Sequence, residues 1–251
     1  MRVRIAAAAA AALLAACASS GGGSGAGGGL SGSITVDAAS SLTEAFDSLK
    51  QKFEADHAGT TITISYGASS DFATQISQGA PADVFAAAST SSMHVVGSEA
   101  VNPTNFVTNT LEIAVPPGNP AGIHSINDLA KSGVKVAVCD PEVPCGSVAQ
   151  HVFKNAGITV RPAASLADVK TTLAAVESGE VDAGVVYVTD VRAAGDKVDG
   201  VTIATDVDST TSYPIAVLKH AKNPALAHAW VDFVRSATGQ QVLTADGFGK
   251  P

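Results

Sequence analysis

Two rhythms of apolar and polar residues alternate along the chain. Short β-branched runs recur, and between them apolar residues return every three or four positions. The first rhythm marks strands and the second amphipathic helices. Residues 34–36 read as a strand, and 42–55 as a helix with Leu42, Ala45, Phe46, Leu49 and Phe53 on one face. A second strand follows at 60–66, then a helix at 72–78, a short buried strand at 83–87 and a helical stretch at 89–99. A new start comes at 104–107, and 111–115 is a strand closed by Pro116 and Pro117. Helices are predicted next at 126–132, 146–155, 166–178 and 189–194, with strands at 135–138, 183–188, 200–205 and 213–218. The tail, 224–244, is helical, with Trp230, Phe233, Val234 and Leu243 as core.

Strands separated by helices predict mostly parallel sheets covered on both faces. The extended segments 111–115 and 213–218 bracket the middle of the chain. They predict two α/β lobes, one from 33–112 plus 216–251 and one from 113–215, joined by two crossover strands that act as a hinge. Ligands in such folds sit beyond the carboxyl ends of strands, which here means between the lobes.

The first part of the 251-residue chain is not fold. Arg2 and Arg4 precede an Ala/Leu-rich run over 5–16 that is too short to span a bilayer and has the layout of a secretory signal. The run ends Leu14-Ala15-Ala16-Cys17, which resembles the bacterial lipoprotein box. That resemblance implies removal of 1–16 and lipidation of Cys17; a plain signal peptide with an incidental Cys is the alternative. Residues 17–32 then form a lipidated Cys and a Gly/Ser tether too poor in apolar side chains to fold. The expected location is the extracytoplasmic face of the cell membrane, held by lipid.

Loss of Arg2 and Arg4 takes the net charge from −8 to −10. Such a field does not attract nucleic acid, and it weakly repels an anionic ligand, so an anion site has to work through close donors. The remaining cysteines, Cys139 and Cys145, flank Asp-Pro-Glu-Val-Pro. In an exported chain they predict one disulfide across a tight loop. No nearby Cys or His completes a metal site there.

Four loops at strand ends carry the candidate chemistry. They are Ala39-Ser40-Ser41, Gly67-Ala68-Ser69-Ser70, Val143-Pro144-Cys145-Gly146-Ser147 and Val185-Val186-Tyr187. Three open helices, whose first turns offer unpaired N–H groups and the positive end of the dipole. None contains Lys or Arg, and uncharged donors suit a small, fully deprotonated oxyanion. Ser is also a common helix cap with no ligand at all. Asp37 and Asp71 stand near these loops; either one facing the ligand would favour a protonated anion, while Asp71 equally suits the first turn of a helix.

Asp37-Ala-Ala-Ser-Ser-Leu-Thr43, Gly79-Ala-Pro-Ala-Asp-Val-Phe85, Asp140-Pro-Glu-Val-Pro-Cys-Gly146 and Gly184-Val-Val-Tyr187, in that order, resemble the molybdate-binding component of bacterial ABC importers. The resemblance spans the folded part of the chain. It implies the two-lobed periplasmic-binding-protein fold of type II and an oxyanion held by hydrogen bonds alone. The implied donors are the hydroxyl and N–H of Ser41 and Ser69, the N–H of Cys145 and Val169, and the Tyr187 hydroxyl. Molybdate or tungstate is the implied ligand, an import permease the implied partner, and a monomer the expected state. No cofactor and no metal cation is implied.

Sulfate and phosphate receptors are the alternatives within this class. An exported serine hydrolase is the alternative outside it. No Gly-x-Ser-x-Gly elbow is present, and His57, His94, His124, His151, His220 and His228 all fall outside the four loops, so no enzyme is expected.

Overall fold

The computed structural model describes residues 29–251. The expected signal segment, the expected lipid site at Cys17 and most of the expected tether lie outside the described residues. Ten strands and eight α-helices follow in chain order. They are β1 Gly32–Ala39, α1 Thr43–Asp56, β2 Thr60–Gly67, α2 Ser69–Ser77, β3 Val84–Ala86, α3 Thr90–Val96, β4 Ala100–Asn109 and β5 Leu111–Val115. Then come β6 Val136–Cys139, α4 Pro144–Asn155, β7 Ala164–Leu166, α5 Val169–Glu177, β8 Ala183–Tyr187 and α6 Val188–Ala194. The chain closes with β9 Asp199–Thr202, β10 Thr211–Leu218, α7 Pro224–Arg235 and α8 Ala237–Ala245.

The strands form two five-stranded sheets, in the orders β2-β1-β3-β10-β4 and β7-β6-β8-β5-β9. Each defines a lobe with its own core. Both sheets are mixed rather than mostly parallel, since each has two parallel and two antiparallel pairings. The departure has a simple cause. β5 and β10 enter their sheets from the other lobe through connectors, not through a crossover helix, and nothing then obliges them to run parallel.

The crossings fall at Thr110, between β4 and β5, and within 203–210, between β9 and β10. Boundaries at 112/113 and 215/216 would cut β5 and β10 in two. Sheet pairing instead assigns β5 whole to the second lobe and β10 whole to the first. Hydropathy marks a segment as a strand, but not the sheet in which it finds its hydrogen bonds.

The first lobe is built on the apolar face of α1. Ala45, Phe46, Leu49 and Phe53 are buried on it. Phe46 and Phe53 meet the Trp230 ring edge-on, with centroids 5.8 and 5.6 Å apart. Rings of this size each contribute roughly 1.5–3 kcal/mol by leaving water. Trp230 reaches them because α7 starts sharply: Asn223 Oδ1 accepts the Leu226 N–H, and Pro224 takes the first helical position. In the second lobe, β6 and β8 are buried along their whole lengths. This explains their unbroken apolar runs, since helices cover both faces. β7 lies within a stretch whose spacing predicts helix from 166; the edge strand ends at Leu166 and the helix begins at Val169.

Candidate anion-binding site

Every candidate loop sits at the carboxyl end of a strand and starts a helix. β1 runs into a single 3-10 turn, Ser40–Leu42, that precedes α1. β2 ends at Gly67, Ala68 caps α2, and Ser69 is its first residue. β6 ends at Cys139, and α4 starts with Pro144 and Cys145. Asp168 caps α5, its Oδ1 accepting the Thr171 N–H at 2.9 Å, so Val169 is the first helical residue. Tyr187 ends β8 and caps α6. The first N–H groups of a helix have no partner inside it, and the dipole makes that end favourable for negative charge.

These ends converge on one cavity of about 20 Å³ between the lobes, room for a ligand of a few atoms. Ser41, Ser69, Cys145, Val169 and Tyr187 all line it. Ala39, Ser40, Gly67, Ala68 and Ala88 complete the first lobe's share, and Val143, Pro144 and Asp168 the second's. Small residues matter here because they let a ligand reach backbone N–H groups.

The hydroxyls are buried and mostly committed. Ser69 Oγ accepts the Ala88 N–H at 3.0 Å, which leaves its own proton free. Ser41 Oγ lies 2.8 Å from Tyr213 Oη. Tyr187 is 1% exposed, and its Oη has no hydrogen-bond partner in the protein. A buried hydroxyl left unpaired costs about 1–3 kcal/mol, so this one calls for a partner that the protein does not supply. Burial pushes its pKa well above the ordinary phenol value, so it stands ready as a neutral donor.

No Lys, Arg or His lines the cavity, and Asp168 is the one charged residue that does. The nearest cation in sequence, Lys170, is turned away. Its Nζ lies 2.8 Å from both carboxylate oxygens of Glu44 on α1 and 3.3 Å from Asp190 Oδ1. The Glu44 contact ties the lobes together, as does the Arg192 guanidinium donating to Ala245 O at 3.0 Å. Neither Asp37 nor Asp71 lines the cavity; Asp71 is exposed in the first turn of α2. Cys139 and Cys145 are disulfide-bonded, with Cα atoms 5.8 Å apart, so the loop bearing the Cys145 N–H is closed on itself. Among the described residues no group of three or more His, Cys, Asp or Glu side chains is placed to hold a metal ion.

Asp190 is fully buried, and burial pushes its carboxyl from 3.8 up to about 6 against the opposing pull of Lys170. Burial moves Asp37 up to about 6 as well. An acid whose folded-state pKa is raised makes ionisation costly to the fold above that pKa, and the cost fades as pH falls toward the unfolded value. Thermal stability is therefore expected to rise as pH is lowered from 7.5 to 5. Asp190→Asn should flatten part of that rise, because the amide oxygen can still accept the Tyr187 N–H that Asp190 Oδ2 takes at 3.1 Å. Melting curves across this range decide the matter; a parent protein that loses stability from 7.5 to 5 contradicts the expectation.

The model of the family described as bacterial extracellular solute-binding protein matches residues 34–249. The chain belongs to that family. Among its solute-binding relatives, the molybdate-binding protein ModA of Mycobacterium tuberculosis is 41% identical over 222 residues, covering 87% of this chain and 85% of the relative. The molybdate-binding protein ModA of Escherichia coli is 32% identical over 231 residues, covering 86% and 89%. The solved periplasmic molybdate-binding protein of Azotobacter vinelandii superposes with a TM-score of 0.76 at 20% identity, over 87% of this chain and 99% of that one, and supports the two-lobed solute-binding fold.

The structure of this solute-binding protein adds residues that its spacing did not single out. Ala88 follows β3 and meets Ser69 across the cavity wall. Tyr213, on a strand read only as a crossover, stands directly behind Ser41. No local signal distinguishes such positions, because an alanine N–H and a strand tyrosine become site groups only through long-range packing.

Proposed function

We propose that this protein is an extracytoplasmic receptor that captures molybdate, or tungstate, between its lobes and delivers it to an ABC import permease. The observation that carries the anion reading is the convergence of helix starts and buried hydroxyls on one small cavity free of cations. Support for molybdate comes from the 41% and 32% identical relatives, both described as molybdate-binding. Ser41, Ser69 and Tyr187 donate through hydroxyls, and Ser41, Ser69, Cys145 and Val169 through backbone N–H groups. The ligand bridges both lobes, so its binding favours the closed arrangement over an open one by the contacts it makes only when they meet. The family and the relatives are described as solute-binding, which supports a role in binding the ligand rather than transforming it.

Calorimetric titration with sodium molybdate, tungstate, sulfate and phosphate tests the proposal. Binding of molybdate and tungstate well ahead of the other two is expected; binding of sulfate or phosphate alone overturns it. Fluorescence is the poorer probe, since Trp230 is buried in the first lobe's core away from the cavity. The protein is held at the membrane by lipid at Cys17, and acts there as a monomer. Cys17→Ala should move it from the membrane fraction to the soluble one, and retention in the membrane would count against the anchor.

A further inference from the structure

Behind Ser41 runs a chain of buried polar groups outside the cavity. It comprises Asn109 at the end of β4, Tyr213 on β10 and Thr189 in the first turn of α6, which are 3%, 0% and 5% exposed. Asn109 Oδ1 accepts the Thr110 N–H at 3.0 Å. That contact sets the amide's orientation, since the oxygen has to face an N–H. Asn109 Nδ2 therefore points the other way, where it donates to Thr189 Oγ1 at 2.9 Å and to Tyr213 Oη at 3.4 Å.

The direction of the 2.8 Å bond between Tyr213 Oη and Ser41 Oγ then decides what Ser41 can offer the cavity. If Ser41 were the donor, its one proton would be spent on the phenol, and only lone pairs would be left to face an anion in the cavity. If Tyr213 is the donor, Ser41 Oγ accepts and keeps its own proton, which is then free to face an anion in the cavity.

We infer that Tyr213 and Asn109 are positioning residues that fix the Ser41 hydroxyl as a donor toward the bound oxyanion. Ser69 is oriented by a separate contact of the same sense, the N–H of Ala88. Thr189 belongs to the second lobe, whereas Asn109, Tyr213 and Ser41 belong to the first. The chain therefore crosses from one lobe to the other beside Thr110, whose carbonyl accepts the Val188 N–H. A hydroxyl held this way serves an oxyanion that carries no proton. One free to turn could also accept from a protonated anion such as hydrogen phosphate.

This inference rests on the oxyanion reading, and a double-mutant cycle separates the two. Molybdate affinity is measured by calorimetry for the parent, Ser41→Ala, Tyr213→Phe and the double variant. Tyr213→Phe keeps the ring that packs 5.5 Å from Phe248 and 6.0 Å from Tyr187. It should bind molybdate about tenfold more weakly, the scale of one weakened bond to a charged group. In the Ser41→Ala background the same change should cost little more, because there is no Ser41 hydroxyl left to orient. Equal losses in both backgrounds, or no loss in the parent background, overturn the inference. If Tyr213→Phe shows no cooperative melting, Asn109→Ala takes its place in the cycle with the same expectation. A parent protein that binds neither molybdate nor tungstate overturns the oxyanion reading itself and this inference with it, a result distinct from additivity.

Discussion

Ser69→Ala is expected to weaken molybdate binding by roughly ten- to a hundredfold, the range for one hydrogen bond to a charged group. Ser69 sits at the start of α2, buried, with its oxygen already accepting the Ala88 N–H. The substitution therefore does two things. It removes a donor from the cavity, and it strands a buried N–H that water cannot reach. The second loss costs about 1–3 kcal/mol whether or not ligand is present. Ser69→Ala should accordingly lower the melting temperature of the ligand-free protein as well as its affinity. Ser41→Ala should lose affinity on the same scale and leave Tyr213 Oη with only the 3.4 Å contact from Asn109 Nδ2. Calorimetry and melting curves on both variants separate the two contributions. If each binds molybdate as tightly as the parent, the two serines are not part of the site.

Gly146→Ala is expected to damage the fold and the site together. Gly146 does not adopt a left-handed backbone; what singles it out is space. A Cβ at this position would lie 1.9 Å from the Asp140 carbonyl oxygen and 2.6 Å from that of Cys139. Both atoms are backbone in a loop closed by the Cys139–Cys145 disulfide, so neither can swing aside like a side chain. The start of α4 has to move, and Cys145, which lines the cavity, moves with it. Overpacking of this kind costs about 1–3 kcal/mol or more. For a chain of this size that is a drop of roughly 2–12 °C in melting temperature. Molybdate affinity should fall more than tenfold, because a displacement of a few tenths of an ångström lengthens hydrogen bonds that depend on distance. Parent-like melting and parent-like affinity in this variant would show that the loop yields without cost.

Much of the protein was legible from its residues because the relevant signals are local. The spacing of Ala45, Phe46, Leu49 and Phe53 marks the buried face of α1 without reference to anything else. The apolar runs of β6 and β8 mark strands covered on both sides. Gly and Ser after short strands mark helix starts. Ser41, Ser69, Cys145, Val169 and Tyr187 were named from the loops and from the family resemblance, and all five lie around one cavity.

The less legible features depend on pairing at a distance. β7 is three residues long and partly exposed, too short for its alternation to stand out from the helix that follows. β10 reads as a strand from its own residues, but its assignment to the first sheet comes from bonds to β3 and β4, each more than 100 residues earlier. Asp71 stands beside a candidate loop in sequence and outside the cavity in space, because the first turn of α2 carries it to the surface.

The sequence by itself determined most of the strands and helices, which loops offer uncharged donors, and the absence of a cation from those loops. These follow from periodicity and residue type, which act over a few positions. The tertiary structure alone decided that the donors share one enclosed space, that the Tyr187 hydroxyl is left without a partner there, and that Tyr213 and Asn109 back Ser41. Those features are products of sheet order and lobe contact, and the direction of a buried proton depends on every neighbour that packing brings within reach.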